Sequence, residues 1–296
     1  MTHFHGIFPY LVSPVEEASG RVRERVLRDL VEHLIRCGVH GLSPLGSTGE
    51  FAYLSFERRN EIVRIVVDAA AKRVPVAAGV AAFSTIDAIH QAEAFARLGV
   101  DGLILILQRM FPVSPRGIER HFRAVAEALP LMSMTLYTNP GLLGGDIPMD
   151  VLETLSHIPN IEYVKDASGN TGRILSILNR MGERIKVFSA SAHIPLIVLR
   201  LGGVGWMAGP ACVMPRECVR LYDLARAGRW DEAMAEQRTQ WAINEVFAKY
   251  SLAACIKTAL HMQGFDVGDP ICPQEPLKSE AVEEIRRALA QLSVTT

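Results

Sequence analysis

Eight times along this chain a short apolar run of strand character is followed by a longer stretch of helical spacing. That alternation restricts the fold more than any other property. The strand-like runs are Gly6 to Ser13, His40 to Leu45, Pro75 to Val80, Gly102 to Leu107, Leu131 to Tyr137, Ile161 to Lys165, Ile185 to Ser189 and Gly203 to Met207. Between them the apolar positions recur every three or four residues, as at Val22, Val26, Leu30, Val31 and Leu34. Ser55 is a candidate cap for the second helix, and Gly38 is a stop for the first. Parallel strands joined by right-handed helical crossovers follow from this order. Eight units point to a closed α/β barrel, a (β/α)8 TIM barrel, because closure removes the sheet edges. An open doubly wound sheet favours a G-x-G-x-x-G turn after the first strand. Here that turn reads Ser13-Pro14-Val15-Glu16.

The barrel is expected to occupy residues 1–227. Residues 228–296 form a helical C-terminal extension, with helical patterns at Trp230 to Tyr250, Ala253 to Gln263 and Ser279 to Leu292. It packs on the barrel or on a neighbouring subunit.

Composition narrows the function class. Apolar residues make up 49% of 296 residues, enough for a large core. The net charge of −1 gives no electrostatic reason for nucleic acid or an anionic membrane as partner. No apolar run approaches the roughly 20 residues that span a bilayer, and no secretory signal opens the chain. Five cysteines, with no C-x-x-C pair, argue for reduced thiols in a cytoplasmic protein without a structural metal site.

In such a barrel, chemistry sits where the strands end. Only six lysines occur, and Lys165 closes the sixth strand-like run, Ile161-Glu162-Tyr163-Val164-Lys165. If it shares the inward parity of Ile161 and Tyr163, burial lowers its pKa and leaves a neutral amine able to attack a ketone. A salt bridge to Asp166 or Glu162, or a side chain reaching solvent, is the competing reading. The loop after the second run, Gly46-Ser47-Thr48-Gly49-Glu50, can aim hydroxyls and backbone N–H groups at a carboxylate or phosphate, or it is an ordinary tight turn. Tyr137 ends the fifth run, where a phenol relays protons or simply packs.

Taken together, these segments resemble the dihydrodipicolinate synthase and N-acetylneuraminate lyase superfamily, from Gly6 to about Leu292. Gly46 to Glu50 is similar to its G-[ST]-T-G-E loop. Tyr137 to Pro140 is similar to its Y-N-x-P segment with Thr138 and Asn139 in altered order. Val164-Lys165-Asp166-Ala167-Ser168-Gly169-Asn170 resembles its K-[DE]-x-[ST]-G segment, and Gly202-Gly203-Val204-Gly205 its eighth-strand glycine run. The resemblance implies a class I lyase. Lys165 forms an imine with a 2-oxo acid such as pyruvate, Tyr137 moves protons, and Gly46, Ser47, Thr48 and Gly205 bind substrate. No metal or organic cofactor is implied. A homotetramer is.

Two family positions differ. Leu142 stands where dihydrodipicolinate synthases carry an arginine for the second substrate, and Gln108-Arg109-Met110-Phe111 offers no relay tyrosine. The acidic pair of N-acetylneuraminate lyases is replaced by Ser189-Ala190-Ser191-Ala192-His193. Arg109 and Ser189, with His193 and Trp206, are therefore candidates for setting specificity. Arg109 is equally readable as a surface charge, His193 as a cap and Trp206 as barrel filling. The expected activity is an aldolase or dehydratase on a 2-oxo acid. The alternatives are a deaminating hydrolase of a cyclic imino acid and a non-catalytic 2-oxo-acid-binding paralogue.

Overall fold

A computed structural model describes residues 3–16 and 19–295, the side chains of 142, 143 and 293–295 excepted. Seven strands form one parallel sheet: β1 (Gly6–Pro9), β2 (Ala77–Ala82), β3 (Gly102–Leu107), β4 (Ser133–Thr138), β5 (Ile161–Asp166), β6 (Lys186–Ser189) and β7 (Gly205–Ala208). Their order is β1-β7-β6-β5-β4-β3-β2. The sheet curls until β1 and β2 nearly meet, and the eighth position is filled by residues 40–45.

This segment was expected to be a regular strand and is not one. It makes isolated bridges, Tyr10 with Ser43 and Leu42 with Val76. His40 N donates to Ile7 O at 2.9 Å and Ser43 N to Pro9 O at 3.0 Å, while Leu42 N donates to Pro75 O at 2.9 Å on the other side. The barrel is thus closed without a continuous ladder. The reason is chemical: Pro44 within the segment and Pro9 and Pro75 beside it have no N–H to donate. Leu45 then turns the chain at φ 62°.

The helices follow in order: α1 (Glu24–Arg36), α2 (Phe56–Ala70), α3 (Thr85–Arg97), α4 (Pro115–Ala128), α5 (Pro140–Leu143), α6 (Met149–Leu155), α7 (Thr171–Met181), α8 (Pro195–Leu201) and α9 (Pro215–Arg226). Side-chain caps set the starts of α2, α3, α4 and α7. Ser55 Oγ accepts from Arg58 N at 3.3 Å, Ser84 Oγ from Asp87 N at 3.1 Å, and Asn170 Oδ1 from Arg173 N at 3.0 Å. Each helix buries one stripe; in α1 it is Leu27, Leu30, Val31 and Leu34.

Strand parity decides what faces the barrel axis. Phe8, Tyr163 and Phe188 meet inside, with ring centroids 5.6 Å and 5.7 Å apart for the pairs that include Phe188. The C-terminal helices α10 (Trp230–Phe247), α11 (Leu252–Met262) and α12 (Ser279–Thr295) lie against the barrel, where Ile243, Phe247, Ile256 and Leu260 join its core. Among the described residues no helix is long and apolar enough to cross a membrane.

Candidate active site

A cavity of about 670 Å³ opens at the C-terminal ends of the strands, with Lys165 at its floor. Lys165 is paired in register with Tyr137 on β4 and Phe188 on β6, so all three side chains share the inward face. It is 3% exposed. Its Nζ lies 3.6 Å from the ring centre of Tyr10 and 3.7 Å from that of Tyr137. Burial pushes its pKa well below the ordinary lysine value.

The sequence left open a salt bridge to a neighbouring carboxylate. Asp166, one residue on, turns to the opposite side and is committed elsewhere. Its Oδ1 accepts from Ser168 N at 2.9 Å and its Oδ2 from Arg173 Nε at 3.1 Å. Glu162 shares that outer parity. Among the described residues Lys165 has no carboxylate partner.

The Tyr137 hydroxyl accepts from Asn139 Nδ2 at 2.8 Å and also shares a hydrogen bond with Ser47. Its pKa is raised by burial, with those two hydrogen bonds opposing. Ser47 and Thr48 line the same cavity. Gly46 precedes them, and a Cβ there would lie 1.9 Å from Tyr10 Cδ1, so the Tyr10 ring occupies the space that this glycine vacates.

The loop's far end is anchored by Glu50, held at φ 54°, a conformation that costs a non-glycine residue energy. Buried contacts hold it there. Its Oε2 lies 2.6 Å from Lys257 Nζ on α11, and its Oε1 accepts from Ile271 N at 2.7 Å and Gln274 Nε2 at 2.8 Å. The C-terminal extension therefore fixes the loop and also supplies the outer wall, through Trp241, Asn244 and Tyr250.

The other sequence candidates fall less centrally. His193 lines the cavity, its ring 6.3 Å from that of Trp241. Ser189 and Trp206 pair with each other in register on the outward parity; Ser189 Oγ donates to Ser191 O at 3.3 Å, and Trp206 Nε1 donates to Ala190 O at 3.2 Å. Met207, one residue beyond Trp206, faces the cavity instead. Gly205 sits at the N-terminal end of β7, where a Cβ would come within 2.1 Å of Gly6 O, so its place is in the barrel wall. Arg109 donates from Nη2 to the Gly145 carbonyl, behind Tyr137. Leu142 lies in α5, and its side chain is outside the described residues.

Sequence reasoning missed Tyr10, Asn139 and the wall from α10. Tyr10 was legible by parity, two residues beyond inward Phe8. Asn139 adjoined a named residue. Nothing local in α10 marked it.

A second hollow, about 560 Å³, lies along α9 beside Cys37. The thiol there is raised by burial, away from the nucleophilic form. The five cysteines are free thiols, with Cys272 exposed. Among the described residues no group of three or more histidine, cysteine or carboxylate side chains is placed to hold a metal.

Residues 3–292 match the dihydrodipicolinate synthetase family. The 4-hydroxy-tetrahydrodipicolinate synthase of Acidiphilium cryptum is 33% identical over 293 residues, 98% of this chain and 99% of that protein. That of Methanospirillum hungatei is 30% identical over 291 residues, 97% and 99%. Among solved structures, the synthase of Methylacidiphilum fumariolicum SolV superposes with a TM-score of 0.94 at 28% identity, covering 99% of this chain and 97% of that one. A prophage protein of the same family from E. coli K12, solved in complex with pyruvate, gives 0.92 at 27%, covering 99% of each chain. With its barrel, its buried lysine and a match along nearly its whole length, the chain belongs to the dihydrodipicolinate synthetase family and is a class I lyase of that family.

Proposed function

We propose that this enzyme condenses Lys165 with a 2-oxo acid, pyruvate or a longer homologue, and makes or breaks a bond at the distal carbons through the resulting imine. The observation that carries this reading is a buried lysine with no carboxylate partner at the cavity floor. The Lys165 amine, held neutral by burial, attacks the C2 carbonyl. The oxygen leaves as water after two protonations, and Tyr137, deep in the site and hydrogen-bonded to Ser47, is the group placed to move those protons. The imine, once protonated, accepts the electron pair released when a bond beyond C3 breaks, or stabilises the C3 carbanion that attacks an aldehyde. Ser47 and Thr48 hold the carboxylate.

Relatives bearing the name 4-hydroxy-tetrahydrodipicolinate synthase support the lyase class. That one structural neighbour was solved with pyruvate supports the 2-oxo acid. Against the synthase's own second substrate stand Leu142 in place of the family's arginine, and Arg109 turned to the Gly145 carbonyl. A cytoplasmic homotetramer is the assembly we extend from the family; light scattering that gave a monomer would remove that part.

The test is borohydride reduction with pyruvate, followed by peptide mass mapping. An adduct on Lys165 is expected. If no 2-oxo acid gives an adduct, the imine mechanism is wrong and the binding-protein reading replaces it. Product assays then separate an aldolase, which releases pyruvate, from a deaminating hydrolase, which releases ammonia.

A further inference from the structure

The carboxylate that follows Lys165 in the chain is balanced by one arginine, and that arginine reaches further than its partner. Asp166 is fully buried, and the Arg173 side chain, on α7, is 10% exposed. Removing two charges from water is costly, and a buried ion pair returns little net stability for it. Such a pair, one residue from the nucleophile, is better explained by what it holds in place.

The guanidinium is a fork that meets two segments at once. Nε donates to Asp166 Oδ2 at 3.1 Å, at the end of β5, and Nη2 donates to Ile147 O at 2.7 Å. Nε also lies 3.9 Å from Asp146 Oδ1. Asp146 and Ile147 close the segment that leaves β4. Thr138, the residue after Tyr137, grips the same two residues from its other end: its Oγ1 donates to Asp146 Oδ1 at 2.7 Å and accepts from Ile147 N at 3.2 Å. Arg109 adds a third pin at the Gly145 carbonyl. The stretch so enclosed begins with Asn139, whose Nδ2 donates to the Tyr137 hydroxyl at 2.8 Å. Gly144 and Gly145, at φ 69° and 129°, make it pliable, so its position depends on the pins. Arg173 is not among the residues that line the cavity, so it acts through others.

We propose that Arg173 is a positioning residue for imine formation: by tying the end of β5 to the segment after β4, it holds Asn139 against the Tyr137 hydroxyl and keeps that phenol in place beside the Lys165 amine. The proposal rests on the Lys165 imine reading and deepens it.

The experiment separates the charge of Arg173 from its reach. Arg173→Lys brings one ammonium where arginine brings a fork, so Asp166 keeps a cation while the tie to Ile147 is cut. The enzyme is mixed with pyruvate at several concentrations and quenched with borohydride at successive times, and the Lys165 adduct is counted by mass. In Arg173→Lys the maximal rate of adduct formation is expected to fall about tenfold, and the pyruvate concentration giving half that rate to stay within about twofold. In a Tyr137→Phe background the same substitution is expected to change the rate by less than about twofold, because the group it positions is gone. Should Arg173→Lys fail to fold, Arg173→Met combined with Asp166→Asn leaves no stranded charge and takes its place under the same expectations. Full speed in the folded variant overturns the proposal. So does an equal fold-loss with and without the Tyr137 hydroxyl, the result that general loosening of the barrel would give. If the unaltered enzyme traps no pyruvate, the imine reading itself is wrong and this proposal falls with it.

Discussion

Lys165 and Lys257 are both buried, at 3% and 1% exposure, yet the chain treats them in opposite ways. Lys257 meets the Glu50 carboxylate at 2.6 Å and donates to Asp269 O at 2.8 Å. Lys165 lies against the faces of two tyrosines, with no carboxylate partner among the described residues. Burial lowers the pKa of both, but at Lys257 the charges of Glu50 and Asp269 oppose the shift, whereas at Lys165 nothing does. A paired buried ammonium is a structural tie. An unpaired one is driven to the free amine, the form that carries nucleophilic chemistry. Burial alone does not separate them; the neighbouring carboxylate does.

Lys165→Ala breaks this comparison with the largest effect. Turnover should fall by about 10³-fold or more, with trapping abolished and the far-ultraviolet spectrum unchanged. A variant retaining a tenth of the activity would move the nucleophile elsewhere.

Lys257→Met should act on stability instead. It strands the Glu50 carboxylate in the core and should lower the unfolding free energy by about 3–5 kcal/mol in urea. Adding Glu50→Gln should recover much of that loss. If the double variant is as unstable as the single, the pair is not the tie described.

Tyr137→Phe should lower kcat/KM by about 10²-fold while Lys165 still traps pyruvate, more slowly. Unchanged kinetics would confine Tyr137 to packing.

The smallest effect is on the pH dependence of stability. Lys165 has a folded pKa below its unfolded value, so the folded state binds fewer protons between the two. Its contribution to unfolding free energy therefore rises with pH from the depressed pKa up to about 10.4, and falls as pH drops through that window. Lys165→Met should flatten this slope between neutral pH and about pH 10 and stabilise the protein at neutral pH. Lys257→Met should not stabilise it. An unaltered slope in Lys165→Met would mean that Lys165 is charged in the folded state.

The barrel was legible because its signal is repeated: eight apolar runs at helical intervals leave few alternatives. Where the second run carried Pro44 and faced Pro9 and Pro75 on its neighbours, the ladder broke although the position in the barrel held. The centre of the site was legible too, since Lys165, Tyr137 and the Ser47-Thr48 loop each stand at a strand end. Ser189 and Trp206 show what proximity in sequence misses. Each stands at or near a strand end, yet a period of two turns both away from the axis and brings in Phe188 and Met207 instead. The outer wall was beyond reach, because Trp241 and Asn244 come from a helix more than seventy residues downstream of Lys165, and only the packing of α10 brings them there. Lys257 lies in a helical pattern with nothing local to mark it; its partner is Glu50, across the fold.

The proline-broken stave at residues 40–45 has a dynamic consequence. Amides there that lack a full ladder are the ones expected to exchange with solvent before those of β2 to β5. This softest stave leads directly into Ser47 and Thr48. Its far end is fastened at Glu50 by a residue of α11, and by the chain at Ile271 and Gln274. The extension thus works as a clasp across the barrel's one loose seam. Cutting the chain before α11 would free the Ser47-Thr48 loop while leaving the lysine's own strand laddered on both sides.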